Sequence, residues 1–151
     1  MEWKIKHFNE LTTNGLYEII KQRINVFVVE QKCPYFECDD KDLDSYHIYA
    51  TDNNEIVAYA RIIPPGVSYK EASIGRVLVK KDYRGNGLGR SLMERAIKYI
   101  IDELREDRIR ISAQEYLLNF YKSLGFKAVS GTYLEDGIPH IEMLYEKKII
   151  K

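Results

Sequence analysis

Three glycines at alternating positions, in Arg84-Gly85-Asn86-Gly87-Leu88-Gly89, are the residues whose spacing most clearly carries chemistry. Glycine accepts positive φ and has no side chain to keep a ligand from the backbone. An apolar run, 74–79, precedes the stretch, and a segment with helical apolar spacing, 88–104, follows it. A helix that opens there presents unpaired N–H groups and the positive end of its dipole to the turn. Strand, glycine turn and helix start together form an anion cradle, most often for phosphate. Elsewhere, Cys33 and Cys38 form one C-x4-C pair without a second pair, and His47 and His140 lie at no zinc-finger spacing from it. Two free thiols are expected, and no metal. Residues 37–44 hold Glu37, Asp39, Asp40, Asp42 and Asp44. Two readings stand for this acidic stretch: a solvated loop, or a rim that attracts a cationic substrate. Calcium is disfavoured because the EF-hand glycine and closing glutamate are missing.

The elements that position these residues follow from periodicity. Trp3 to Phe8 alternates and reads as an edge strand. Thr12, Thr13 and Asn14 are N-cap candidates for a helix carrying Leu16, Ile19, Ile20, Arg23 and Phe27 and running to about Val29. Glu30 falls at its end, where a carboxylate opposes the dipole, so it either pairs with a cation or is placed for function. Strands at 46–51 and 55–63 form a hairpin around Asp52-Asn53-Asn54, and Pro64-Pro65-Gly66 stops it. A strand at 72–79, the helix from Leu88 and a strand at 108–113 make a right-handed crossover with a parallel pair. A helix over 115–123 ends at the C′ candidate Gly125, and strands are expected at 127–129 and 140–146, with 136–139 as a turn. Arg61 and Arg76 lie inside apolar strands and read as members of buried ion pairs. The expectation is one α/β domain over 1–151, a mixed sheet with helices on both faces.

Totals bound the function. A chain of 151 residues with 45% hydrophobic content fits one soluble domain. Lys plus Arg and Asp plus Glu are both 23, which gives no electrostatic case for nucleic acid. No apolar run approaches the ~20 residues that span a bilayer, and the N-terminus has no apolar signal core, so neither a membrane nor export is expected and the reading is cytoplasmic.

Three phosphate motifs compete for the glycine stretch. Walker A fails because no Gly-Lys pair follows Gly85, and the dinucleotide pattern fails because its third glycine position is Arg90. What remains is [QR]-x-x-G-x-[GA], met by Arg84, Gly87 and Gly89. Strand–RGNGLG–helix resembles the acyl-CoA motif of the GCN5-related N-acetyltransferases (GNAT). Phe120-Tyr121-Lys122-Ser123-Leu124-Gly125-Phe126 is similar to the Tyr-x-x-x-Gly-Phe ending of that family's later helix. Segments 26–35, 57–62, 74–77, 113–126 and 135–143 resemble the ElaA-type subfamily across nearly the whole chain.

The resemblance implies a GNAT-like fold, mostly antiparallel with a central splayed parallel pair. It also implies transfer of acetyl from acetyl-CoA to an amine. The N–H groups of Gly85, Asn86, Gly87, Leu88, Gly89 and Arg90 then cradle the CoA pyrophosphate beside Arg84. Main-chain groups of Val77, Leu78 and Val79 pair with the pantetheine arm like an added strand, and a freed N–H there polarises the thioester carbonyl. Tyr121 matches the tyrosine near the sulfur, where a phenol protonates the leaving thiolate or holds it by a hydrogen bond. The family's pantetheine-contacting Asn has no match at Gln114-Glu115, which leaves Asn119 as the candidate. An alkylammonium near pKa ~10.4 needs a base. Candidates are His140, whose type titrates near ~6.5, Glu30, Glu142, Asp44 and His47, with His140 and Glu30 foremost. Gln114 lines the acceptor channel on this reading. Several family members form homodimers, which leaves a homodimer open here, and no residue pattern identifies an interface. The rival reading is a CoA- or phosphate-sensing module without chemistry, in which Tyr121→Phe changes little.

Overall fold

The computed structural model describes residues 1–148; the last residues of the expected 1–151 domain lie outside them. The elements run in order as β1 (Glu2–His7), α1 (Thr13–Arg23), β2 (Tyr46–Asp52), β3 (Glu55–Ile63), β4 (Ser73–Val79), α2 (Leu88–Asp102), β5 (Arg108–Gln114), α3 (Leu118–Ser123), β6 (Lys127–Ala128), β7 (Tyr133–Glu135) and β8 (Ile138–Glu146). Antiparallel pairing orders one sheet β1-β2-β3-β4 and the other β5-β8-β6, with β7 on β8. The two sheets touch through a parallel bridge between Ala72 and Ile109, where Arg110 N–H donates to Ala72 O at 2.9 Å. Beyond that bridge β4 and β5 part, which is the splayed pair the resemblance implied.

Helices cover both faces because the strands alternate. Ile48, Ala50, Ala58, Ala60 and Ile62 face Leu92, Met93, Ala96 and Ile100 of α2 in one buried cluster. Tyr49 and Tyr59 point the other way, toward Ile19 of α1 and Phe27. Each fully buried large aliphatic of α2 contributes roughly 1.5–3 kcal/mol, so α2 fixes the strand order beneath it.

Two expectations are corrected. The first helix reaches Glu30 as anticipated, but its last seven residues, Ile24–Glu30, form a π-helix, with Gln31 N–H bonded to Val26 O and Cys33 N–H to Val28 O. Such wider turns are uncommon and collect at functional sites. The stretch read as a turn at 136–139 is shorter: Asp136 and Gly137, at φ +52 and +77, form a tight hairpin between β7 and β8. The sequence reading missed β7, and β8 begins at Ile138 rather than His140. Among the described residues, no helix is long and apolar enough to cross a membrane.

Candidate active site

The glycine turn takes the predicted form. Gly85 and Gly87 stand at φ +86 and +77, and a Cβ at either would meet nothing within 4 Å, so both face open space. Gly87 is the N-cap of α2 and supplies no side chain to cap it. The first intrahelical bond runs from Ser91 N–H to Gly87 O at 3.1 Å, so the N–H groups of Leu88, Gly89 and Arg90 have no intrahelical acceptor. Asn86 is exposed beside them. Gly89 lets α2 approach β4, since a Cβ there would already be 3.7 Å from Val79 Cγ2. Arg90 points away from the turn: it hydrogen-bonds Ser123 and lies over the Phe120 ring, 5.8 Å from its centroid. Arg84 donates from Nε to Val79 O at 2.8 Å and pairs with Glu30 at 2.8 Å.

A cleft of about 690 Å³ opens where β4 leaves β5. The opening has a local cause. Tyr59 pairs with Leu78 and Arg61 with Gly75, so Arg76 and Val77 together oppose Ala60. This is a β-bulge, and Arg76 sits in it at φ +52. A non-glycine residue there costs about 1–2 kcal/mol, and the side chain is tied down: Nε donates to Glu37 at 3.0 Å and the guanidinium lies 5.2 Å over Tyr35. Val77, Leu78 and Val79 line one wall; Leu117, Phe120 and Tyr121 line the other. Tyr121 is 6% exposed, and burial pushes its phenol up to about 12. Its hydroxyl makes no hydrogen bond to the described residues and is free to donate into the cleft. Gly125, at φ +105, ends α3 with Phe126 N–H bonded to Tyr121 O and Gly125 N–H to Lys122 O, a Schellman ending. A Cβ at Gly125 would stand 3.0 Å from the Tyr145 ring, which is why the Tyr-x-x-x-Gly-Phe spacing matters here.

Farther along, the cleft is walled by Ser112, Gln114, Glu135, Asp136, Ile138 and His140. His140 Nδ1 lies 2.7 Å from Ile138 O, and its Nε2 lies 3.2 Å from Glu135 Oε2. Tyr133 stacks on the imidazole at 6.2 Å. Glu30 also lines the cleft, held by Arg84, so it has the cation partner its helix position called for. Of the remaining base candidates, His47 is fully buried, bonded to Tyr59 OH at 2.7 Å and Asp42 O at 3.1 Å, and burial lowers its pKa. Glu142 pairs with Arg110, and Asp44 is exposed. None of the three is on the cleft wall. Asn119 is exposed on α3 and is not among the residues of that wall. Glu135 and Ser112 were missed; the signal was the Asp136-Gly137 pair, which as a two-residue hairpin would have put Glu135 opposite Ile138.

The acidic loop is the largest correction. Arg23, fully buried, binds Glu37 and Asp42, each at 2.6 Å. Arg61 binds Asp39 at 2.7 Å and Asp42 at 3.0 Å, and Arg76 adds Glu37 and Asp39. Three carboxylates therefore face inward onto three guanidiniums instead of forming a rim for a cationic substrate. Arg61 and Arg76 are the ion-pair members they were expected to be. Burial opposes the charge on Asp39, but the Arg61 hydrogen bonds and the Arg61 and Arg76 charges hold its pKa down at about 2. Burial likewise opposes the charge on Asp42, and Arg23 and Arg61 outweigh it. Cys33 and Cys38 are free thiols; Cys33 donates to Asp136 O at 3.4 Å, joining this loop to the β7–β8 hairpin.

Known proteins agree with this geometry. Residues 12–147 match the family model described as an acetyltransferase (GNAT) domain. A UPF0039 protein of Schizosaccharomyces pombe is 46% identical over 97% of each chain. Protein ElaA of Escherichia coli is 41% identical over 97% of each chain, and its crystal structure matches with a TM-score of 0.90 over 96% of this chain and 99% of that one. An acyl-CoA N-acyltransferase from Pseudomonas aeruginosa matches at 0.91 and 41% identity over the same shares. With the glycine cradle, the bulged strand and the Tyr121–Phe126 ending in one cleft, the chain belongs to the GNAT acetyltransferase family, in its ElaA-type branch.

Proposed function

We propose that the protein transfers the acetyl group of acetyl-CoA to a primary amine. One continuous cleft carries this reading: it runs from the uncapped start of α2, past the outer edge of bulged β4, to the free hydroxyl of Tyr121. The residues present fit the cosubstrate. Gly85 and Gly87 leave open space before the N–H groups of 88–90, suited to a pyrophosphate. The edge of β4 from Val77 to Val79 is suited to an amide-bearing arm that pairs like a strand. When bound, acetyl-CoA supplies the activated acyl group.

Tyr121 acts on the leaving sulfur. Burial makes this phenol a weaker acid than a thiol, so a hydrogen bond to the thiolate is favoured over full proton transfer. Tyr121 therefore holds the thiolate by a donated hydrogen bond. His140 is the proton acceptor of this proposal. Glu30, held by Arg84, orients the arginine next to the cradle.

The test is release of CoA from acetyl-CoA across polyamines, aminoglycosides, amino acids and peptide N-termini, with calorimetric binding of acetyl-CoA alongside. Tyr121→Phe is expected to lower kcat by about 10- to 100-fold and leave CoA affinity within about twofold. An unchanged kcat in Tyr121→Phe removes the tyrosine from the chemistry, and absence of acetyl-CoA binding removes the whole reading.

A further inference from the structure

The β7–β8 hairpin sets a carboxylate beside the imidazole of His140. Ile138 O is a carbonyl and can only accept, so the His140 nitrogen 2.7 Å away, Nδ1, carries the hydrogen. Nε2 is left as the nitrogen that gains or gives a proton, and Glu135 Oε2 stands 3.2 Å from it. His140 is 6% exposed and its ring is held by the stacked Tyr133; the Glu135 side chain is half exposed. Both line the cleft. On the β5 side, Ser112 Oγ lies 3.4 and 3.5 Å from the two carboxylate oxygens of Glu135 and bonds Tyr133 OH.

The arginines around the pair are committed elsewhere, while Lys41 and Asp136 of the same cleft form no ion pair among the described residues. Arg110 of β5 is bound to Glu71 and Glu142, and Arg84, Arg61 and Arg76 hold carboxylates of their own. Tyr69 of the β3–β4 connection feels the charges of Glu135 and Glu142, Tyr133 feels the same two, and Cys33 meets the backbone of Asp136. No Lys or Arg among the described residues pairs with Glu135, whereas Glu30, the other ion-paired carboxylate on the cleft wall, is held by Arg84.

We propose that Glu135 is a catalytic residue: it binds the ammonium group of an alkylamine acceptor and presents it to Nε2 of His140. The proposal rests on the amine reading and deepens it. The ammonium gives one proton to Nε2, and the imidazolium formed is stabilised by the adjacent carboxylate until water removes the proton. The nitrogen lone pair forms the C–N bond, the C–S bond breaks and its electrons leave on sulfur. The nitrogen's second proton is matched by the one taken up at sulfur, so one proton is released per turnover. The acceptor class is a primary amine that is cationic at neutral pH.

The experiment compares two nucleophiles with acetyl-CoA in the wild type and in Glu135→Gln. One is the alkylamine of highest turnover in the panel above; the other is hydroxylamine, uncharged at neutral pH. Glu135→Gln is expected to lower kcat/KM for the alkylamine on the order of 100-fold, partly through a raised amine KM. The loss with hydroxylamine is expected to be about tenfold smaller, with acetyl-CoA affinity unchanged. Glu135→Asp keeps the charge but withdraws it by one methylene, and an intermediate loss is expected; it serves as the readout if the glutamine variant does not fold. Equal losses with both nucleophiles, or no loss, overturn the assignment while the amine reading stands. A wild type that binds acetyl-CoA but releases no CoA with any alkylamine overturns both.

Discussion

Replacing Asp39 with asparagine removes one carboxylate from the buried arginine cluster behind the cleft and should leave a pH signature. The Asp39 side chain is 24% exposed and its pKa falls from 3.8 to about 2 in the folded protein. A depressed carboxylate adds stability that is complete well above the unfolded value and is lost as pH falls through the folded one. A difference of roughly two units is worth about 2 kcal/mol at neutral pH, of which about half is gone near pH ~3. Urea unfolding of wild type and Asp39→Asn at steps between about pH 6 and pH 3 measures it. The stability difference should be about 2 kcal/mol at the upper end and shrink to about 1 kcal/mol at the lower. A gap that stays constant over that range refutes the linkage, and a gap below about 0.5 kcal/mol at neutral pH refutes the energetic role of the pair.

Three further outcomes are expected. Gly87→Ala, at φ +77 with open space around its Cβ, should cost about 1 kcal/mol from backbone strain alone; it should also weaken acetyl-CoA binding roughly tenfold by calorimetry, because the methyl group enters the cradle. Arg23→Met takes one guanidinium from Glu37 and Asp42, which keep Arg76 and Arg61, and should lose about 3 kcal/mol in urea unfolding; a loss under about 1 kcal/mol would contradict the burial argument. In ¹⁵N spectra of labelled histidine, neutral His140 should carry its hydrogen on Nδ1, and finding it on Nε2 would contradict the bond to Ile138 O.

Features written in neighbouring residues were legible in the sequence. The glycine turn, α2 and the Tyr121–Phe126 ending each depend on spacings of a few residues, and they stand where that spacing predicts. The acidic loop was not legible for the opposite reason. The arginines that turn Glu37, Asp39 and Asp42 inward lie 14 to 39 residues away in the chain, and no local pattern distinguishes a carboxylate paired across such a distance from a solvated one. Glu135 was hidden by a register. β7 is only three residues long, too short for alternation to declare itself. Its contact with His140 exists only once the Asp136-Gly137 hairpin has set the pairing. The parallel pair was anticipated from the crossover, but its restriction to the Ala72–Ile109 bridge follows from the bulge at Arg76, which no residue type in β4 announces.

That bulge makes the number of residues in β4 a determinant of the site, apart from their identity. Two residues there span what Ala60 spans alone. Deleting one of them would leave Gly75 opposite Arg61 and Leu78 opposite Tyr59 but let β4 pair evenly with β3, which removes the kink that turns β4 away from β5. Leu78 would keep its face against Ile19 and Phe27, whereas an insertion or deletion on either side of the bulge would shift the register and turn such residues over. Substitutions along this strand can be absorbed by repacking, whereas a change in its length cannot. Within β4, single-residue insertions and deletions should therefore be the least tolerated class of change.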